Sequence, residues 1–140
     1  MDLHPIALHL KGAVTALADV GLAGDFQTAM QNLRLKAPAA FVLPGPERGG
    51  PNEYINAVSQ RVTLRFSVVL AIQNLRDMQG DAAQTDLDPI RTAVLGALLG
   101  WQPAAADSPI TYGAGRMVKW ADGVLWWQDD YDTTYYVRAT

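Results

Sequence analysis

The clearest pattern in the chain is an alternation of apolar and polar positions between Arg61 and Ile72. The even positions in this stretch are all apolar: Val62, Leu64, Phe66, Val68, Leu70 and Ile72. The odd positions are charged or polar up to Ser67 and apolar after it. A period of two residues is typical of a β-strand. The pattern predicts a long strand whose first half shows one face to water or to a partner and whose second half is covered on both faces.

An amphipathic helix of about four turns is predicted near the start of the chain, because apolar residues recur there at steps of three and four. The apolar positions are Ile6, Leu10, Val14 and Leu17. Pro5 suits the first turn, where a missing N–H removes no helical hydrogen bond. Gly21 is predicted to follow the helix in the left-handed conformation that ends many helices.

A second helix is predicted to begin after Asp88, which suits the N-cap, with Pro89 as its first residue. Its apolar stripe comprises Leu87, Ile90, Val94, Leu95 and Leu98. Gly100 is placed to end this helix in a left-handed turn. Trp101 follows at once and is predicted to fold back over the helix end as part of the core.

The last third of the chain has the pattern of a β-hairpin. Residues 110–120 and 124–130 are rich in β-forming side chains and flank Asp122-Gly123, which is a strong signal for a two-residue turn. The pattern continues to residue 137. Gly113 and Gly115 indicate a bulge in the first of these strands.

Three stretches in the first half of the chain are less regular. Residues 38–44 form a short apolar run between prolines, which predicts a short strand. Residues 22–35 fit a helix or a strand equally well. Residues 44–56 contain three prolines and three glycines within their first nine positions. This composition predicts a long loop that is mobile in the isolated subunit and becomes ordered against a partner.

The order of these elements predicts one α+β domain over residues 1–140, with a mostly antiparallel sheet packed with two main helices. No basic segment precedes an apolar stretch at the start, and no apolar run approaches the ~20 residues that span a bilayer. We therefore expect neither a secretory signal nor a membrane segment.

Composition and charge exclude several classes of function. The formal net charge of −3, from 11 basic and 14 acidic residues, argues against binding of nucleic acid through a broad basic face. The absence of cysteine excludes a disulfide scaffold, a thiol nucleophile and cysteine-ligated metals. The two histidines, His4 and His9, do not have the spacing of three or four residues that a metal-binding pair on a helix normally has. We expect no metal and no cofactor.

The acidic and aromatic residues near the end of the chain are the remaining candidates for chemistry. Asp129, Asp130 and Asp132 are predicted to form a solvated acidic turn, since a catalytic pair needs a pocket and two different environments. The aromatic residues are predicted to form sheet core or to anchor a subunit interface; they are Trp120, Trp126, Trp127, Tyr131, Tyr135 and Tyr136. The chain is therefore predicted not to be an enzyme.

Three segments resemble the small tail terminator proteins of long-tailed bacteriophages, including the lambda-type terminator. Residues 38–44 resemble the family's short strand, and residues 60–70 resemble its long central strand. Residues 90–103 resemble its helix, which ends in the motif Gly-Trp-x-Pro. The order and spacing of the segments, which cover nearly the whole chain, carry the resemblance.

The resemblance implies a structural protein of the virion. Such proteins cap the tail tube once it reaches its set length, commonly as a hexameric ring, and present a surface to the head–tail connector. The implied partners are further copies of the chain in a homohexamer, the tail tube protein and the connector or stopper protein, with DNA only as cargo passing through the lumen. The implied location is the head-proximal end of the tail, after assembly in the host cytoplasm.

Two alternatives to this interpretation stay open. One is another neck, tail-completion or tube-like subunit of a phage, and the other is an α+β domain that binds a small ligand.

The surfaces that would meet neighbouring subunits or the tube are predicted to come from the long strand, the Pro/Gly-rich stretch of residues 44–56 and the aromatic hairpin. The candidate interface residues are Arg48, Glu53, Tyr54, Arg61, Arg65, Arg116, Trp126, Asp129 and Asp130. Arg61 and Arg65 share one face of the long strand and are expected to pair with acidic groups of an adjacent copy. Glu47, Glu53 and residues 129–132 are the candidates for those groups.

Overall fold

The computed structural model of the chain describes residues 1–32, 35–73 and 81–140. Its elements in chain order are α1 (His4–Ala13), β1 (Asp19–Gly21), α2 (Ala23–Asn32), β2 (Ala39–Asn52), β3 (Val58–Gln73), α3 (Asp81–Leu98), β4 (Thr111–Ala121) and β5 (Val124–Ala139). The strands form one sheet in the order β1-β2-β3-β5-β4. Only the short β1–β2 pair is parallel among these described strands. The predicted α+β fold with a mostly antiparallel sheet is confirmed.

The long strand β3 lies at the centre of the sheet. It pairs with β5 over its entire length, from Val58 opposite Ala139 to Gln73 opposite Val124, and with β2 on its other side. The six apolar even positions from 62 to 72 are all 6% exposed or less. The predicted alternation is therefore confirmed, and the strand is longer than the alternating pattern alone suggested.

The two faces of the sheet are covered by different helices. The even face of β3 packs against α1 and α3 in the main core, whose helical members include Ile6, Leu10, Leu87 and Leu98. The odd face packs against α2 only near the end of β3, where Phe26 approaches Phe41 and Trp126. The predicted change from one covered face to two along the strand is confirmed. Residues 22–35, whose sequence fits a helix or a strand equally well, contain α2. Residues 33 and 34 lie outside the described residues.

The first helix is shorter than predicted. It ends at Ala13, and Val14 leaves the helical region with φ −113° and ψ 85°. The predicted role of Gly21 as the helix-ending residue is wrong, because Gly21 lies in β1 opposite Phe41. The chain leaves the helix early so that residues 19–21 can pair with β2, and backbone pairing in a sheet overrides a weak helical pattern.

The third helix is longer than predicted. It begins at Asp81, so the prediction of Asp88 as the N-cap is wrong and Pro89 lies inside the helix. An interior proline removes one helical hydrogen bond. The preceding turn nevertheless contributes Leu87, which is fully buried in the main core, and this packing favours the longer helix.

The prediction of a loop over residues 44–56 is wrong for residues 44–52, which form the second half of β2. Pro44 lies opposite Phe66 and Arg48 opposite Thr63, with register shifts after Pro44 and after Gly49. The prolines are tolerated because β1 covers only the first three residues of β2, so the rest of its outer side is a sheet edge. The mobility of this stretch in the isolated subunit stays a prediction.

Two predicted turns are confirmed by backbone conformation. Gly100 follows α3 with φ +81°, and its N–H donates to the Ile110 carbonyl at 3.0 Å. Asp122 and Gly123 both have positive φ, as the two-residue hairpin turn between β4 and β5 requires. Trp101 packs on the main core as predicted, and its ring stacks on His9 with centroids 3.8 Å apart.

Candidate functional site

One half of the sheet has no helix over it on the side of α2. The side chains on this surface, called here the open sheet face, are those of Arg48, Arg61, Thr63, Arg65, Arg116, Gln128, Asp132, Thr134, Tyr136 and Arg138. The register of β2, β3, β4 and β5 places them together, since Arg48 lies opposite Thr63, Arg65 opposite Asp132 and Arg116 opposite Gln128. Four of the candidate interface residues, namely Arg48, Arg61, Arg65 and Arg116, therefore share one surface.

The arginines at the centre of the open sheet face are paired within their own chain. The Arg65 guanidinium donates to both carboxylate oxygens of Asp132, at 2.9 and 3.0 Å. These hydrogen bonds and the Asp132 charge raise the pKa of Arg65. Arg61 lies 3.1 Å from an Asp107 carboxylate oxygen and 5.5 Å from the Tyr136 ring centroid. Both arginines thus have acidic partners before any neighbouring copy is present.

The open sheet face is nevertheless positive. It carries five arginines, at positions 48, 61, 65, 116 and 138, and their described acidic partners are three, Asp107, Asp130 and Asp132. Glu53, whose carboxylate accepts a hydrogen bond from Tyr136 of the same face, adds a fourth negative charge. An excess of one positive charge therefore remains on this face, in a chain whose net charge is −3. A surface with this excess favours an acidic partner.

Asp130 lies beneath the open sheet face and is only 7% exposed. Its carboxylate accepts hydrogen bonds from the Ser67 hydroxyl at 2.6 Å, the Gln128 amide at 2.9 Å and Arg116 at 3.4 Å. Burial by itself raises the pKa of Asp130. The hydrogen bonds from Ser67 and Gln128 and the charges of Arg116 and Arg65 outweigh burial, so the pKa is lowered overall.

Asp129 points to the opposite side of the sheet and ties α3 to it. Its carboxylate, 1% exposed, accepts two hydrogen bonds from Arg91 at 2.9 and 3.0 Å. The Trp127 indole N–H and the Tyr112 hydroxyl donate to it as well, at 3.0 and 3.2 Å. The Asp129 hydrogen bond also raises the pKa of Arg91. Every member of this cluster is hydrogen-bonded, which is the condition under which a buried ion pair is tolerated.

The predicted glycine bulge in β4 is confirmed. The register of β4 shifts between Tyr112 and Ala114, which places the bulge at Gly113, and it shifts again between Met117 and Lys119. A Cβ on Gly115 would overlap the Asp129 carboxylate and the Tyr112 hydroxyl, and a Cβ on Gly113 would lie 2.7 Å from the Arg65 guanidinium. Glycine at both positions leaves room for the charged groups of the neighbouring strands.

The prediction of a solvated acidic turn over residues 129–132 is wrong. These residues lie in the middle of β5, and Asp129 and Asp130 are buried because arginines and other donors from four elements satisfy them. Trp126 is buried too, with 3% exposure. Of the candidate interface residues, these three belong to the interior of the subunit.

The remaining candidates, Glu53 and Tyr54, lie at the tip of the β2–β3 hairpin. A Glu53 carboxylate oxygen accepts a hydrogen bond from the Tyr136 hydroxyl at 3.3 Å, and Tyr54 is 61% exposed. Ile55, which the sequence analysis did not select, is 98% exposed beside them. An apolar residue between two predicted strands was the signal that could have identified it.

The arrangement offers charged and apolar surfaces for contact. Among residues 1–32, 35–73 and 81–140, no group of three or more histidine, cysteine or acidic side chains could hold a metal ion. None of the described helices combines the length and the apolar character needed to cross a membrane.

Replacement of Asp129 should test the buried pair. The Asp129→Asn chain should lose about 2–3 kcal/mol of unfolding free energy, because the half-buried Arg91 would lose its charged partner and the buried cluster would lose the carboxylate to which its donors bind. The control Asp132→Asn removes the partner of the more exposed Arg65 and should cost about 1 kcal/mol or less. Urea denaturation at pH 7 measures both, and equal losses would contradict the assignment.

The lowered pKa of Asp130 predicts a pH dependence of stability. A carboxylate with a lowered pKa in the folded state stabilises the fold above its unfolded pKa of about 3.9, and this stability is lost as the pH falls through the folded pKa. The Asp130→Asn chain should therefore be less stable than the original chain at pH 6, and the difference should shrink as the pH falls from about 4 to about 2. Thermal melting across this range is the measurement, with the exposed Asp88→Asn as control. A difference that stays constant with pH would contradict it.

A protein-family model described as "Phage tail terminator protein" matches residues 1–140, which is the whole chain. No curated protein matches the chain.

Proposed function

The chain belongs to the phage tail terminator family, and from this premise we propose that it caps the tail tube as a ring of identical subunits and thereby stops tube growth. The family is one of structural virion proteins, so the chain is a structural component of a phage tail that contacts other tail or head–tail proteins. The finer proposal is a ring of six at the head-proximal end, assembled in the host cytoplasm. Its two sides contact the tail tube protein and the connector or stopper protein.

The observation that carries the proposal is the positive open sheet face. A closed ring of identical subunits needs two different surfaces on each copy, because a head-to-tail contact joins unlike patches. The open sheet face supplies one of them, with a charge opposite to that of the chain as a whole. Glu47 is an exposed acidic residue on the other side of the sheet, and Glu53 is an exposed acidic residue at the edge of the open sheet face, beside Tyr136. Both are candidates for the complementary surface of an adjacent copy.

The role of the lumen follows from the net charge. The formal charge of −3 on each copy is compatible with DNA passing through the ring as cargo, because like charges repel and weaken adhesion. If the positive open sheet face is turned towards a neighbouring subunit, it does not line the lumen and does not contact the DNA.

Electron microscopy tests the capping role. A copy carrying a small C-terminal label, added to growing tail tubes, should appear as a ring at one end of each tube, and tubes should stop lengthening when it is present. A label spread along the tube would contradict the proposal. A label at another joint of the particle would instead support the alternative of a different neck or tail-completion protein.

A charge swap tests the open sheet face. Arg65→Glu alone should lower the melting temperature slightly, because the new carboxylate lies opposite Asp132. Adding Asp132→Arg restores a cross-strand ion pair within the subunit and should restore melting. If the face meets a neighbouring copy, the double variant should still fail to cap tubes, since losing a desolvated charge contact costs roughly 2–5 kcal/mol of association. Full capping by the double variant would show that the face is only solvated surface.

A further inference from the structure

A single side chain, that of Asn52, makes four of the hydrogen bonds at the tip of the β2–β3 hairpin. The Asn52 amide donates to the carbonyls of Tyr54 and Ala57, both at 2.9 Å. Its side-chain oxygen accepts from the N–H groups of Ser59 at 2.8 Å and Tyr54 at 3.4 Å. The Glu53 N–H completes the turn by donating to the Ser59 carbonyl at 2.9 Å. Five hydrogen bonds thus define the turn over the five residues 53–57.

This ordered tip presents apolar side chains to water. Ile55 is 98% exposed and Tyr54 is 61% exposed, and Val58 beside them is 40% exposed. Exposed apolar groups gathered on an ordered, projecting turn mark a contact site, since single scattered apolar residues are the usual pattern on a surface. Tyrosine and other large side chains in such positions are common anchors of protein interfaces.

The same chain carries a cleft of matching character. Between the start of α2 and β2 lies an open cleft of about 500 Å³ lined by Ala23, Gly24, Phe26, Gln27, Leu43 and Pro44. Its lining is mostly apolar, and it adjoins the open sheet face, because Leu43 lies opposite Ser67 and Arg65 is two residues from Ser67 on the same side of β3. Arg65 therefore lies beside the cleft.

We propose that Tyr54 and Ile55 of one subunit dock in this cleft on the next subunit. This inference rests on the proposed ring and names the contact that joins its copies. Glu53, adjacent to the two anchors, is brought towards Arg65 of the neighbour. The apolar tip matches the apolar cleft, and the carboxylate matches the positive excess beside it.

The tip cannot fill the cleft of its own chain. The cleft lies beside Ser67 of β3, because Leu43 of its lining is opposite that residue. Val58, at the base of the tip, is nine residues from Ser67, and nine residues of extended strand span roughly 30 Å. β3 is paired on both sides over this distance, with β2 and with β5, so the hairpin is not free to fold back. The cleft of a second copy can be reached by the tip, because the pairing of β3 fixes only the distance within one chain. A contact between the tip of one copy and the cleft of the next is a head-to-tail contact, which is the kind that closes rings.

Disulfide trapping tests the contact directly, since the natural chain has no cysteine. The variant Ile55→Cys, Gly24→Cys places one thiol on the tip and one on the cleft, and a Cβ at Gly24 meets no atom within 4 Å. The matched control is Ile55→Cys, Gly12→Cys, because Gly12 in α1 is equally open and lies on the other side of the sheet. Both full-length variants are oxidised as free protein at concentrations from micromolar to millimolar. They are also oxidised after assembly into tails.

The expected result is a ladder of linked multimers for the Gly24 pair and no more than dimers for the control. Mixing the single variants Ile55→Cys and Gly24→Cys should give a linked dimer of the two. Absence of the ladder at every concentration and in tails would overturn the proposal. If the Ile55→Cys thiol links to a different tail protein and the Ile55→Cys, Gly24→Cys variant forms no links between its copies, the tip docks on that other protein. This result would overturn the proposal that the tip docks in the cleft of a second copy.

A second measurement keeps the test independent of cysteine chemistry. Ile55→Asp should weaken self-association by about tenfold or more in analytical ultracentrifugation, as expected for removal of a buried anchor. Leu8→Asp, at a residue of α1 that is 55% exposed, should change association little. Equal effects of the two variants, with unchanged melting, would overturn the anchor role.

The two proposals fail separately. Normal capping of tubes with no tip-to-cleft link would overturn this inference and leave the capping role standing. A tip-to-cleft link in a protein that does not restrict tube length would support the contact and overturn the capping role.

Discussion

The pairing of β3 with β5 over sixteen residues is the constraint on which the other elements depend. It fixes which side chains face α1 and α3 and which face α2, because a slip of one residue would exchange the two faces. It also sets Arg65 opposite Asp132 and Phe66 opposite Tyr131. The main core, the buried carboxylates and the open sheet face are therefore three results of a single register.

The buried charges reinforce this register. Asp129 and Asp130 are neighbours in the chain, yet their side chains lie on opposite faces of the sheet and have separate sets of donors. A shifted pairing would bury both carboxylates without those donors, and an unpaired buried charge is far more costly than a lost apolar contact. The two aspartates thus disfavour the alternative registers that a long apolar strand could otherwise adopt.

Local patterns in the sequence were sufficient for some features and not for others. The alternation in β3 and the Asp122-Gly123 turn were predictable because each depends on adjacent residues. The partner of Asp129 was not, since Arg91 lies 38 residues away in sequence and meets it only through the packing of α3 on the sheet. Pro44 was misinterpreted for a related reason: a proline excludes a central strand, and only the topology shows that β2 is at an edge there. The clustering of Arg48, Arg61, Arg65 and Arg116 on one surface likewise required the order of the strands.

The proline-rich outer side of β2 has a consequence for aggregation. An exposed strand edge normally offers a row of N–H and C=O groups to which another chain can add, and such addition has no built-in limit. Pro44, Pro46 and Pro51 have no N–H to offer, and the two register shifts bend the strand away from a regular ladder. The protein is proposed to stop the growth of the tail tube, and this edge keeps the protein itself from starting an aggregate by strand addition. Its copies can still contact one another through side chains in a closed ring.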